Sequence, residues 1–125
     1  STRLSMLLAV LEKKSGLKLM NEDVYVNIVG GLKPDGTSFD LAVCLAIYSS
    51  HKNCAARSKT IAIGEVGLTG DVRPVRFADK IVKEAVRMGY ERIIMPASNL
   101  KTLEGSFEGC DIVGVRNVTE ALRIF

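Results

Sequence analysis

Segments with the hydrophobic period of a helix alternate along this chain with short runs rich in β-branched residues, and that alternation limits the fold more than any other feature. Leu4, Leu7, Leu8 and Leu11 recur at i, i+3, i+4, i+7, which predicts a helix from about residue 2 to 15, with Ser1 or Thr2 as cap and Gly16 just past its end. Leu17 to Leu19 reads as a short strand, and Asp23 to Val29 as a longer one with Val24, Val26 and Ile28 on one face. A turn-bearing loop follows from Gly30 to Thr37. Leu41, Cys44, Leu45 and Tyr48 then mark a second helix over 38–50, capped by Ser38 or Thr37, and His51 falls in an exposed loop around 51–58. Thr60 to Val66 reads as one strand, and Thr69-Gly70-Asp71 as the turn returning through Val72 to Val75. Pro74 lacks a ladder donor and so belongs at an edge. Phe77, Ile81, Ala85 and Met88 mark a third helix ended by Gly89, with Asp79 set to pair with Lys83 at i+4. Arg92 to Met95 is a buried strand stopped by Pro96. A helical turn over 98–103, a strand over 111–115 and a short helix opened by Asn117 or Thr119 and running through Leu122 complete the series. This order excludes all-α and all-β folds and predicts an α/β or α+β domain.

A chain of 125 residues buries roughly two-thirds of the surface its unfolded form exposes, enough for one core without staples, so residues 1–125 are expected to be a single domain. The abrupt, helix-like start without methionine predicts a domain excised from a longer chain. Apolar runs such as Met6 to Leu11 stop far short of the ~20 residues of a spanning helix, and no signal series opens the chain, so no membrane partner is expected. Three cysteines without a C-x-x-C pair and one histidine argue against a disulfide framework or a zinc site, and for reduced thiols in a cytoplasmic setting. The net charge of +3 permits a nucleic-acid partner without demanding one.

Three constellations bear on chemistry. Gly31 to Ser38 imitates the phosphate-binding pattern G-x-x-x-x-G-K-[ST], yet Thr37 stands where its lysine belongs and Pro34 removes an amide from the cradle; Lys33 lies inside the loop. Ser38 reads either as a helix cap or as a nucleophile whose base is Lys80 or Lys83, because His51 is poorly placed in sequence. Arg73, Arg76, Lys80, Lys83 and Arg87, with Arg57 and Lys59, read either as a solvated face interleaved with Asp79 and Glu84 or as a converging patch for phosphates. The seven aromatic residues are scattered and offer no stacking platform, and Cys44 reads as core.

The runs Met6 to Glu12, Asp23 to Gly31 and Gly64-Glu-Val-Gly-Leu-Thr-Gly-Asp-Val-Arg-Pro-Val75, with Arg92 to Asn99, closely resemble the C-terminal Lon-protease-like domain of the RadA (Sms) family of bacterial DNA-repair ATPases. The resemblance covers nearly the whole chain. It implies a Lon proteolytic-domain fold, related to ribosomal-protein S5 domain 2-like folds, and a bacterial, cytoplasmic parent. That parent carries a zinc finger and an ATPase core elsewhere, so ATP and zinc are implied for the parent and no cofactor for this domain. Against the Lon serine motif the chain keeps Ser38, while Asp79 occupies the position of the catalytic lysine. Lys80, one residue on, is rotated by about 100° around the helix. A carboxylate is a far weaker base than a neutral lysine, so the expected domain is non-catalytic. The resemblance further implies a hexameric ring acting on recombination intermediates, with DNA, single-stranded or branched, as partner. Arg3, Lys33, Lys59, Arg73, Arg76 and Lys80 are the expected phosphate contacts, and a Lon-type peptidase using Ser38 is the competing reading.

Overall fold

The computed structural model describes residues 2–15, 37–52 and 59–125. The strands expected over 17–19 and 23–29 and the loop over 30–36, with Lys33, lie outside the described residues, as does Arg57. Ten elements follow in order: α1 (Thr2–Ser15), α2 (Asp40–Lys52), β1 (Thr60–Ala62), β2 (Glu65–Val66), β3 (Val72–Arg73), α3 (Ala78–Arg87), β4 (Arg92–Pro96), α4 (Ala97–Thr102), β5 (Asp111–Val115) and α5 (Val118–Ile124). The architecture is mixed α/β around a parallel three-stranded sheet in the order β1-β4-β5, with β2 and β3 forming a separate antiparallel pair.

Successive residues of β4 serve opposite faces of the sheet, and both faces are covered. Ile94 packs with Leu7, Val10 and Leu11 of α1, Leu41, Cys44 and Leu45 of α2, and Val118 and Ala121 of α5. Ile93 and Met95 pack instead with Phe39, Ile63 and the buried stripe Ala78, Val82 and Ala85 of α3. Helices therefore sandwich the sheet, which explains why Ile93-Ile94-Met95 is an unbroken apolar run: a parallel strand covered on both sides has no solvent-facing position to mark with a polar residue. Asn117 caps α5, its side chain accepting from the Glu120 amide at 2.9 Å, as its sequence position predicts.

Three local expectations are corrected. The strand read over Thr60 to Val66 is two strands belonging to different sheets. The break falls at Gly64, whose φ of 148° lies outside the range of ordinary strand residues, and the chain turns there because Ile63 bonds to Ile94 while Gly64 bonds to Ser38. A β-carbon at Gly64 would stand 2.8 Å from Val72 Cγ1, so the turn also requires the bare backbone. His51 is not in a loop, because α2 continues through Lys52. Phe77 is not on the buried face of α3. It precedes the helix in a left-handed conformation, φ 59° and ψ 33°, and is 55% exposed, while Ala78, Val82 and Ala85, spaced i, i+4, i+7, do the burying.

Candidate functional site

Two neighbouring regions carry the side chains that sequence singled out. The first is the start of α2. Its amides and carbonyls are tied into the β1–β2 turn: Gly64 N–H donates to the Ser38 carbonyl at 2.7 Å, and Leu41 N–H to the Gly64 carbonyl at 3.0 Å. The Asp40 carboxylate is buried and accepts from the Val66 amide at 3.0 Å, a charge-assisted bond that fixes the register of α2 against β2. Ser38 is half-buried beside this seam. Next to it the Thr37 hydroxyl donates to Glu65, whose other carboxylate oxygen lies 3.7 Å from Arg73. Arg73 in turn donates from Nε to Asp71 at 2.8 Å, and Asp71 also accepts from the Thr69 hydroxyl at 2.7 Å. These two donors hold the Asp71 carboxyl below its ordinary value, the Arg73 bond contributing most. The run Thr37, Glu65, Arg73, Asp71, Thr69 is one continuous polar chain across the β2–β3 pair.

The second region is the N-terminal end of α3. Asn99, at the start of α4, clamps the segment that leads into it: the Asn99 carboxamide oxygen accepts from the Val75 amide at 2.8 Å and its amide nitrogen donates to the Val75 carbonyl at 3.1 Å. Both atoms of one side chain thus hold both polar groups of one backbone residue, which also fixes the orientation of the carboxamide. Beyond the clamp the chain passes Arg76 and presents Phe77. The Arg76 guanidinium lies 5.2 Å and the Lys80 amine 5.1 Å from the centroid of the Phe77 ring, both within cation–π range. A cleft of about 270 Å³ opens beside the ring, lined by Val75, Phe77, Ala78, Asp79, Asn99, Thr102, Leu103 and Glu104.

These placements separate the residues that sequence grouped. Arg76 and Lys80 converge. Arg73 is committed to Asp71 and Glu65, although its side chain stays half exposed. Lys59 sits at the other end of α3, donating to the Met88 carbonyl at 3.1 Å and lying 5.1 Å from the Tyr90 ring, so it serves the carbonyl end of the helix dipole. Ten helical residues span about 15 Å, which keeps Lys59 apart from the Arg76–Lys80 pair. Arg3 lies in α1, and Lys33 lies outside the described residues. Asp79 faces the cleft, and the Ser38 seam belongs to a different set of residues. No ion pair joins Asp79 to Lys83 among the described residues; Glu84 pairs with Arg87 instead, Nε to Oε2 at 3.0 Å. Sequence reasoning missed Phe77 and Asn99. The signal for the first was the competing stripe Ala78, Val82, Ala85, which leaves Phe77 outside the helix; the second carries no local signal.

A family model described as subunit ChlI of Mg-chelatase matches residues 5–99. The chain belongs to that family. The DNA repair protein RadA of Bacillus subtilis is 46% identical over 121 residues, 97% of this chain. RadA of Escherichia coli is 42% identical over 123 residues, and RadA of Halalkalibacterium halodurans 41% over 124, each match covering 98% of this chain. The chain spans about a quarter, 26%, of the length of these relatives and matches the C-terminal region of RadA, as its motifs implied. Among the described residues of this RadA-like chain, no group of three or more His, Cys, Asp or Glu side chains is placed to hold a metal ion, and no helix is long and apolar enough to cross a membrane.

Proposed function

We propose that this chain is a single, non-catalytic Lon-like domain, of the ribosomal-protein S5 domain 2-like kind, from a cytoplasmic bacterial DNA-repair ATPase, and that it serves as an assembly scaffold and a DNA contact. The observation that carries the DNA contact is the convergence of Arg76 and Lys80 on exposed Phe77, with neither cation held in an ion pair among the described residues. Cations already spent on carboxylates neutralise few phosphates, whereas free ones displace counterions from a polyanion and gain the entropy of their release. In a hexameric ring a modest +3 per subunit repeats around one axis and becomes a strong field for a polyanion. ATP and zinc belong, in this reading, to the remainder of the longer parent. The relatives' name, DNA repair protein, supports the setting.

The absence of catalysis follows from the residues in the two Lon-type positions. Ser38 lacks a lysine partner at the family position, where Asp79 stands, and a carboxylate at neutral pH takes a proton from a serine hydroxyl far less readily than a neutral amine.

Fluorescence anisotropy with labelled oligonucleotides over a salt series tests the DNA contact. Arg76→Glu with Lys80→Glu lowers affinity and flattens the dependence of log affinity on log salt by more than about 1.4, since each lost phosphate contact on a single strand removes about 0.7 from the slope. Unchanged affinity and slope in the double variant refute the proposal. Sedimentation of the parent protein, with and without this domain, tests the scaffold: a ring that survives deletion of the domain refutes that part.

A further inference from the structure

Phe77 is an unusual residue for its backbone. It is the one non-glycine residue at positive φ among the described residues, and a bulky side chain in the left-handed region is a true outlier that the surrounding structure must enforce. Here the enforcement is visible: the Asn99 clamp fixes Val75 two residues before, and the Phe77 carbonyl accepts from the Ile81 amide at 3.1 Å. A turn that needed only this backbone would be met more easily by glycine or asparagine. Burial offsets little of the strain, since the residue is 55% exposed.

The surroundings of the ring indicate what meets it. Arg76 and Lys80 lie over the ring with two positive charges, on long side chains free of ion pairs among the described residues. The adjoining cleft has an apolar side in Val75, Ala78 and Leu103 and polar groups in Asp79, Asn99, Thr102 and Glu104. Phosphates are repelled by the two carboxylates in the cleft and attracted by the two cations over the adjoining Phe77 ring. A ligand with an anionic backbone and flat, hydrogen-bonding side groups satisfies both fields at once, backbone outward and ring inward. Carboxylates accept hydrogen bonds from exocyclic amino groups of bases.

We propose that Phe77, although the aromatic residues form no shared stacking surface, is by itself a stacking platform for an unpaired nucleobase, with Arg76 and Lys80 swinging off the ring to hold the phosphates on either side, so that this site discriminates single-stranded from duplex DNA. This rests on the DNA-contact reading above and deepens it. A duplex offers the same phosphates but keeps its bases stacked on each other, so Phe77 contributes to single-strand binding alone.

The chain contains no tryptophan, which makes Phe77→Trp a sole reporter at the site. Its emission is measured in the 125-residue chain on titration with a single-stranded 12-mer, an abasic strand of equal length and the matching duplex. Quenching by the 12-mer and not by the abasic strand or the duplex supports the proposal; equal responses to all three overturn it. In parallel, Phe77→Leu weakens single-strand binding on the order of 5- to 150-fold, the range of a lost base–aromatic contact, while duplex affinity and both salt slopes stay unchanged. Equal loss for single strand and duplex, or no loss in either, overturns the proposal while leaving the charge reading standing. Failure of every DNA form to bind, even at low salt, overturns both. Binding of an acidic polypeptide such as polyglutamate with the same Trp quenching as the 12-mer makes the site a protein contact and overturns the proposal as well. Thermal melts of each variant check folding, and should Phe77→Leu unfold, the Phe77→Trp titration decides.

Discussion

Replacing Asn99 with alanine removes both hydrogen bonds that hold Val75 and touches no charged group, so it tests whether the clamp, and not charge alone, positions the N-terminal end of α3. Each bond contributes about 1 kcal/mol net, and the half-buried Val75 amide and carbonyl regain only part of their solvation, so the loss is about 2 kcal/mol. For a domain of this length the unfolding entropy gives roughly 4 °C per kcal/mol, hence a fall of about 8 °C in Tm. Asn99→Asp is the sharper variant. Its carboxylate still accepts from the Val75 amide but confronts the Val75 carbonyl, now 3.1 Å from a donor, with a second acceptor. At neutral pH it is at least as destabilised as Asn99→Ala. Because a protonated carboxyl can donate to that carbonyl, the folded variant holds the proton more tightly than the unfolded chain, so its deficit relative to the parent shrinks as pH falls from neutrality toward about 4 and is smallest below that value. Urea denaturation of the three proteins at pH 7 and pH 3.5 supplies the comparison. In anisotropy, both variants bind DNA more weakly with the salt slope unchanged. Stabilities within about 0.5 kcal/mol of the parent, or a deficit in Asn99→Asp that does not shrink at low pH, would show that the two bonds do not hold this segment.

Gly64→Ala forces a methyl to 2.8 Å from Val72 Cγ1 at a φ of 148°, and overpacking with backbone strain lowers stability by about 3 kcal/mol; a shift in the urea midpoint worth less than 1 kcal/mol refutes the role given to this turn. Met95→Ala, at a fully buried position between β4 and α3, loses about 2–5 kcal/mol by the same measurement. The carboxyls of Asp71, Glu84 and Glu120 are all held below their ordinary values of 3.8, 4.5 and 4.5, chiefly by bonds from Arg73, Arg87 and Arg116. Their contribution is therefore present above those ordinary values and lost as pH falls through the lower folded ones, so stability declines below about pH 4.5 and Asp71→Asn makes the decline shallower. A serine-directed phosphonate leaves the chain unlabelled; labelling that disappears in Ser38→Ala restores the peptidase reading.

Burial on two sides is written plainly in this chain, because a run such as Ile93-Ile94-Met95 between Gly89 and the end of β4 admits no amphipathic alternative. Capping is equally legible: Asn117 satisfies its helix within three residues, and local chemistry suffices to read it. The split of Thr60–Val66 was not legible, since Thr-Ile-Ala-Ile-Gly-Glu-Val is a good strand by every local criterion. What divides it is partnership of Ile63 with Ile94, 31 residues on, against partnership of Gly64 with Ser38, 26 residues back, and of Glu65 with Arg73, and only the fold reveals which partner each residue takes. The candidate site repeats this lesson in electrostatic form. Arg73, Arg76, Lys80 and Lys59 look alike as a cluster of positive residues, yet one is paired with carboxylates, one caps a helix, and two are held in no ion pair among the described residues. Charge counted along a sequence is an upper limit; the charge left after internal pairing is what a polyanion meets. Phe77 obeys the same logic with the sign reversed. Its apolar side chain suggests burial, but the stripe beginning at Ala78 already fills the core contact of α3, so the ring is displaced outward, beside a cleft and beneath two cations.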